Sequence, residues 1–306
     1  MMQQFSITDA ALAGFRMVRE HPRTIAIWGV LLMVLSGLST ILLIAVGGPE
    51  LQAFSEMDPS SMADLGEMAK VMAPMAPIML LSTALNLVIS AVVVTGVMRM
   101  VLRPADSATA YLRLGIDELR QGAALFLYYL LILGIYFGAV FVGALVIGVI
   151  GAASGGQGLL VGLAVMIVLP AIFGVTIYAM VRFSFAGVLT FAQGRITVMG
   201  SLPLTKGRFW PLVGTYLLAL VLFMIVYAAT LVLGTAIAAI FGGLTGAGAM
   251  FQSDISSVSA FLTPVGIVRL VIISALSVLT MLILFAPAPE VYRQLKAGET
   301  DVDTFA

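Results

Sequence analysis

The sequence predicts an all-α, polytopic integral membrane protein with six transmembrane helices and interfacial amphipathic helices. Apolar residues fill 61% of the 306 positions, charged residues fill only 10%, and the apolar residues are gathered into six long runs. Soluble domains carry about 25% charged residues, and a helix needs about 20 apolar residues to cross a bilayer. The predicted spans, in a single membrane domain over 1–306, are 24–47, 77–101, 122–151, 159–181, 211–241 and 265–287.

The arm that precedes the first span, residues 1–23, is predicted to hold an amphipathic helix over Ser6–His21. Ser6 and Asp9 match a capping box, and an apolar stripe follows at helical spacing: Ile7, Ala11, Phe15 and Val18. The apolar run that begins at Thr24 is too long for the core of a signal peptide, so we expect it to be retained.

A helix on the outer face is predicted over Asp58–Ala76, ahead of the second span. Asp58 can cap this helix and Pro59 suits its first turn. Four methionines recur there at helical spacing: Met68, Met72, Met75 and Met79. Thioethers are soft ligands for Cu(I), but methionine also fills irregular apolar surfaces. We expect an interfacial or core-facing apolar stripe, and a Cu(I) site is the alternative.

Two further amphipathic stretches, 107–121 and 197–208, precede the third and fifth spans, and the latter is broken by Pro203. Each of the three stretches is followed by a hairpin of two spans, a layout that suggests a threefold repeat. The preference of basic residues for one side of the membrane would produce the same layout without a repeat. We expect the stretches to lie in the membrane interface; docking of a partner protein is the alternative.

Basic residues are scarce in the first, third and fifth gaps between the spans. Thirteen of the fifteen Lys and Arg residues fall in the arm, the second and fourth gaps with their edges, and the tail 288–306: Arg16, Arg19, Arg23, Arg99, Arg103, Arg113, Arg120, Arg182, Arg195, Lys206, Arg208, Arg293 and Lys296. Lys and Arg favour cytoplasmic loops. The pattern therefore predicts a multi-pass membrane protein with both termini in the cytoplasm.

Small residues recur every four positions along the fifth span and its extension, and Gly234, Ala238 and Gly242 form the centre of this series. Helices associate in lipid by close packing of small residues. We expect this groove to contact another helix of the same chain or, alternatively, of a second copy.

Two polar residues lie at membrane depth. Asn86 is near the middle of the second span, and Arg269 is about one turn into the sixth. Polar and charged groups in a span are functional candidates by default. We expect Asn86 to bond to a neighbouring helix, and Arg269 to extend to the headgroups or to pair with Asp254.

The residues that most enzymes and metal sites use are scarce. The chain has no cysteine and a single histidine, His21, and its glycine-rich turn at 151–158 lacks the lysine of a phosphate loop. We therefore expect no enzyme, no cofactor and no metal centre, and the zero net charge gives no indication of a nucleic-acid partner. The alternative is a small transporter or channel with a site near the midplane of the second, fourth and sixth spans, where Pro170 and Gly174 could interrupt a helix.

The connection between the fourth and fifth spans carries basic residues and no acid: Arg182, Arg195, Lys206 and Arg208, followed by Trp210. These residues are candidates for contact with lipid headgroups or with a partner protein.

The same segment, Arg182–Leu220, resembles the membrane domain of glycerophosphoryl diester phosphodiesterases and the related YciC-type bacterial inner-membrane proteins. The matching residues are Arg182, Ser201, Leu204, Gly207 and Trp210, and the tail Val291–Leu295 is similar in character. No room remains in the chain for the phosphodiesterase domain. The resemblance therefore implies a membrane module without the hydrolase, in a bacterial inner membrane. Our first hypothesis for its function is a non-enzymatic six-helix bundle that binds lipid or a protein partner.

Overall fold

The computed structural model describes residues 5–55, 65–251 and 254–304, and nearly all of them lie in α-helices. The helices are α1 Ile7–Ala11, α2 Ala13–Glu20, α3 Pro22–Ser55, α4 Leu65–Leu102, α5 Ile116–Ala153, α6 Gly158–Arg182, α7 Ala186–Gln193, α8 Ser201–Thr205, α9 Phe209–Ala249, α10 Val258–Phe261, α11 Pro264–Phe285 and α12 Pro287–Thr304. Six of them, α3, α4, α5, α6, α9 and α11, are long and apolar enough to cross a membrane. The predicted class of all-α, multi-pass membrane protein is confirmed.

Several helices continue beyond the predicted spans. From Leu65 onward, the predicted outer helix and the second span form the single helix α4, which contains Pro74 and Pro77; Asp58 and Pro59 lie outside the described residues. In α9 the helical geometry is interrupted at Gly243, whose φ of 60° requires glycine. The regular part of α9 therefore ends close to the predicted limit of the fifth span.

The second amphipathic stretch differs from its prediction. Residues Ala108–Tyr111 form a 3₁₀ turn in which Thr109, Ala110 and Tyr111 have positive φ, and α5 begins only at Ile116. The Glu118 carboxylate accepts a hydrogen bond from the Gly115 N–H at 3.0 Å and so caps the start of α5. The predicted helical face over 107–115 is therefore wrong, and the helical part of the stretch belongs to the third span.

The third stretch, 197–208, also differs from its prediction. Its helical part is the short helix α8, and Pro203 lies inside that helix instead of breaking it; α7 precedes the stretch. Pro203 occupies the first turn of α8, where a backbone N–H has no helical acceptor, so the proline removes no helical hydrogen bond.

The spans form three hairpins, α3 with α4, α5 with α6, and α9 with α11, arranged in a ring. Helix α4 packs against α5 and α11 against α3, while α6 touches α9 much less. The segment that precedes each hairpin packs on the second helix of the neighbouring hairpin in the ring: α2 packs on α11, the 3₁₀ turn on α4, and α8 on α6. This cyclic arrangement agrees with the layout that suggested a threefold repeat, which remains an interpretation.

Both termini lie at the same end of the molecule, because α1 and α2 contact α12. We call this the basic end; it carries α1, α2, residues 103–115, residues 183–208 and α12. The buried apolar side chains are concentrated there. One cluster gathers the ends of α4 and α6 with α7 and α12 around Phe185, and a second surrounds Trp28, whose Nε1–H donates to Ala110 O at 2.8 Å.

Away from the basic end the spans bury little. In α5 the buried residues Glu118, Gln121, Ala124 and Leu125 lie in the first three turns, and Gly143 is the one buried position beyond them within this described helix. Large apolar side chains of α5, α6 and α9 are exposed along their length. This is the surface expected of helices that face lipid tails.

The small-residue series of α9 lies against α11. Ala238 is completely buried. A Cβ atom on Gly234 would lie 3.2 Å from the side chain of Ile272, and one on Gly242 would lie 3.0 Å from Val265. Both neighbours belong to α11, so the series is in contact with a helix of the same chain.

Replacing Ala238 or Gly234 with leucine is expected to destabilise the protein, because α11 fills the space that the new side chain needs. Overpacking of this kind costs about 1–3 kcal/mol. Thermal unfolding of the detergent-purified protein measures the effect. The matched control is Val232→Leu, since Val232 is 71% exposed. Equal melting temperatures for Ala238→Leu and Val232→Leu would contradict the packing argument.

Candidate functional site

Four residues surround α8 at the basic end and form what we call the cationic surface: Arg182, Lys206, Arg208 and Trp210. Arg182 ends α6, Lys206 follows α8, and Arg208 precedes α9. Lys206 is exposed, and Trp210 is 77% exposed. Arg195, predicted to belong with them, lies on the loop between α7 and α8, where its Nε donates to Gln193 Oε1 at 3.2 Å.

One buried hydroxyl fixes α8 beneath this surface. The backbone leaves helical geometry between α6 and α7, so the Arg182 carbonyl and the Phe185 N–H need other partners. The Ser201 hydroxyl accepts from the Phe185 N–H at 3.1 Å and donates to Arg182 O at 2.7 Å. Thr205 Oγ1 also donates to Arg182 O, at 3.3 Å. Ser201 therefore positions the helix that carries Lys206 and precedes Arg208.

Aromatic rings join the two spans next to the cationic surface. The rings of Tyr178 on α6 and Phe209 on α9 have centroids 5.2 Å apart, and Phe209 meets Trp210 edge-on at 5.3 Å. The Arg182 guanidinium lies 6.0 Å from the centroid of the Tyr178 ring, at the outer limit of a cation–π contact. An exposed tryptophan beside arginines is typical of a membrane–water interface.

Elsewhere at the basic end, most arginines are paired with acids; the exposed Arg19 and Arg23 of the arm form no ion pair with the described residues. Asp117 lies 3.6 Å from Arg103 and 3.7 Å from Arg120, Asp106 lies 3.4 Å from Arg113, and Glu290 lies 3.1 Å from Arg16 and 2.7 Å from Arg293. In the parts of the chain that the structure describes, Arg182, Arg195, Lys206 and Arg208 form no such ion pair. Unpaired basic residues are therefore most numerous on and beside the cationic surface.

The most deeply buried ion pair links α4 to α5. Arg99 and Glu118 are 3% and 5% exposed and are in direct contact, and Arg99 Nη1 also donates to Tyr111 O at 2.9 Å. Gln121, one turn further along α5, is buried beside Gly187, and neither atom of its amide has a hydrogen-bond partner among the described residues. The sequence placed Arg99 at the edge of a loop, and no local signal indicated that it would be buried.

A cavity of about 180 Å³ lies between α2, the end of α4 and α12. Its charged lining includes Arg16, Arg293, Glu290 and Glu20, and His21 also lines it. Glu290 accepts hydrogen bonds from Arg293 and Gln294 and lies within 3.1 Å of Arg16. Because these charges largely cancel, the cavity attracts an ion less than the cationic surface does.

The polar residues at membrane depth do not converge. Asn86 is exposed, and its Nδ2 donates to Ser82 O at 2.8 Å within its own helix. The expected bond to a neighbouring helix is therefore wrong, because the outer half of α4 exposes this face. Helix α6 continues through Pro170, so the predicted interruption of the fourth span is also wrong.

Arg269 reaches the backbone near the other end of the molecule, where its Nε donates to Met250 O at 3.4 Å. The Asp254 carboxylate accepts hydrogen bonds from Ser256, which hold the pKa of Asp254 below its usual range. The pairing of Arg269 with Asp254 stays a prediction.

The methionine stripe ahead of the second span is described only in part. Met75 is buried and Met79 is 42% exposed, and the side chains of Met68 and Met72 lie outside the described residues. The choice between a Cu(I) site and an apolar stripe stays open.

Arg182, Ser201, Leu204, Gly207 and Trp210, the residues on which the family resemblance was based, surround the turn between α8 and α9. Gly207 has a φ of 75°, which favours glycine, and Arg208 Nη1 donates to Leu204 O at 3.1 Å. Comparison of the chain with protein-family models, with curated proteins and with solved structures gave no match.

Replacing Ser201 with alanine is expected to lower stability, because the buried Phe185 N–H loses its acceptor. An unsatisfied buried group costs about 1–3 kcal/mol. Thermal unfolding in detergent measures this. The control is Ser82→Ala, which removes a hydroxyl that donates to Met79 O within its own helix. If both variants melt at the same temperature, Ser201 does not hold α8 in place.

Proposed function

We propose that the chain is a non-enzymatic protein of a bacterial inner membrane whose cationic surface binds the headgroups of anionic lipids in the cytoplasmic leaflet. The observation that carries the proposal is the uneven pairing of charge. Acids accompany Arg16, the arginines of residues 99–120 and Arg293, whereas Arg182, Lys206 and Arg208 form no ion pair with the described residues.

Three physical arguments support this proposal. Each basic residue close to an anionic membrane surface contributes about 1 kcal/mol to the attraction. Arginine and lysine can bury their aliphatic stems in the apolar region while their charges reach the headgroups. Tryptophan prefers the same depth, and Trp210 is exposed directly beside Arg208.

The distribution of Lys and Arg supports the orientation, and the resemblance to bacterial inner-membrane proteins supports the choice of membrane. The resemblance to a membrane module without its hydrolase supports the non-enzymatic part of the proposal. Partner proteins that carry acidic patches could use the same charges, and the lipid test below separates the two cases.

A reporter that is active only in the cytoplasm, fused after Ala306, is expected to give a signal, because thirteen basic residues hold the basic end on that side. A control fusion in the 154–157 turn, after an odd number of spans, is expected to be silent. Activity of the turn fusion combined with silence of the C-terminal fusion would reverse the orientation.

Phosphatidylglycerol is expected to raise the melting temperature of the detergent-purified protein more than phosphatidylcholine does. Replacing Arg182, Arg195, Lys206 and Arg208 together with glutamine is expected to remove most of the difference, since four contributions of about 1 kcal/mol are lost. Differential scanning fluorimetry at low salt measures the shift.

A pair of double variants controls for net charge. Lys206→Gln with Arg208→Gln is expected to remove about half of the lipid effect. Arg113→Gln with Arg120→Gln removes the same charge from arginines that face Asp106 and Asp117, and most of the effect is expected to remain. If the two double variants lose equal parts of the lipid effect on the melting temperature, net charge alone determines that effect. A quadruple variant that keeps the full shift in melting temperature would favour a protein partner.

A further inference from the structure

We propose that the cationic surface is the headgroup end of a discrete phospholipid site, and that one acyl chain of an anionic phospholipid lies in a furrow between α6 and α9. This inference rests on the proposed function for the headgroup and adds a defined position for the lipid. The furrow, which we call the α6–α9 furrow, is bounded by Ala171 and Gly174 on α6 and by Leu220 on α9.

The two helices meet at the basic end and then separate. Tyr178 and Phe209 are in ring contact at 5.2 Å. Gly174 and Ala171 lie four and seven residues before Tyr178, so all three share one face of α6. Both small residues are exposed, and no atom lies within 4 Å of the position that a Cβ on Gly174 would occupy. Helix α9 therefore no longer covers this face one turn away from the ring contact.

The facing side of α9 is apolar, and it becomes exposed beyond Val213 and Tyr216, which pack against the cluster around Phe185. Leu220 lies eleven residues after Phe209 and therefore on the same face of α9, and it is 44% exposed. The two helices stay apart because each packs against a different neighbour. Gly143 on α5 contacts Val168 and Ile172 of α6, and Gly234 on α9 contacts Ile272 of α11. Each helix is thus held by its own hairpin partner.

The basic end of the furrow is suited to a phosphate. The Arg182 guanidinium lies 6.0 Å from the centroid of the Tyr178 ring, Arg208 directly precedes Phe209 in the chain, and Lys206 is exposed. The Nε atom of Arg208 is buried and has no acceptor among the described residues. Guanidinium groups form short, charge-assisted hydrogen bonds to phosphate oxygens, so a headgroup would provide the missing acceptor.

A phospholipid matches both parts of this site. An acyl chain suits two apolar helix faces that open toward the bilayer, and a negative headgroup suits unpaired basic residues at one end of them. A helix of a second copy would fill the furrow but would bring no negative charge to Arg182 and Arg208 from within a span, because the predicted spans contain no acidic residue in their interior.

Gly174→Leu tests the acyl part of the site without touching the charges. The new side chain enters open space, so the protein is expected to fold, and leucine favours a helix over glycine. Its matched control is Gly162→Leu on the same helix, where the glycine is also exposed and a Cβ would meet no atom within 4 Å. Gly162 lies sixteen residues before Tyr178 and so faces nearly the opposite side of α6.

Native mass spectrometry of the full chain, delipidated and then mixed with dioleoyl phosphatidylglycerol or dioleoyl phosphatidylcholine, counts the lipids that each chain retains. The wild type and Gly162→Leu are expected to retain one phosphatidylglycerol and little phosphatidylcholine. Gly174→Leu is expected to bind phosphatidylglycerol about tenfold more weakly, the change that results when about two methylene groups lose their contacts.

Equal retention of phosphatidylglycerol by Gly174→Leu and Gly162→Leu would overturn the furrow site, and the proposed function would stand if the quadruple glutamine variant still lost the lipid. A wild type that retains both lipids equally would overturn both proposals. A dimer that forms in the wild type and is lost in Gly174→Leu would show that a second copy, not a lipid, occupies the furrow.

Discussion

Packing of the final turns of α4 and α6 with α7 and α12 around Phe185 is the interaction on which the rest of the structure depends. These elements come from three different hairpins, and their buried side chains join the hairpins at one end. The Arg99–Glu118 pair adds a polar link between α4 and α5 in the same region. A buried pair contributes little net stability, but it is costly to break when one partner is removed, so it favours one register of the two helices.

Because the hairpins are joined at the basic end, their outer halves do not need to pack tightly. Lipid tails are as apolar as leucine, so exposure of apolar side chains to them costs little. The seam between α6 and α9 is the least packed of the three junctions between hairpins. None of the four basic residues at this junction has an acidic partner among the described residues, so the most open apolar surface and a group of unpaired positive charges occur at the same place.

The spans and the basic segment without acids could be predicted from the sequence, because both depend on local composition. The apolar runs predicted α3, α4, α5, α6, α9 and α11, and the lack of acids near Lys206 and Arg208 pointed to the cationic surface. The features that could not be predicted from the sequence depend mainly on tertiary contacts. The burial of Arg99, the capping of α5 by Glu118 and the role of Ser201 all depend on residues that are distant in sequence or on backbone conformations without a periodic signal.

A structure determined by crystallography from a lipidic mesophase doped with phosphatidylglycerol tests the central claim most directly. We expect an elongated acyl-chain density between Gly174 and Leu220, with headgroup density within hydrogen-bonding distance of Arg182 and Arg208. A structure in which α9 closes against Gly174 and Ala171, with no lipid between the helices, would contradict the claim that an anionic lipid occupies this seam.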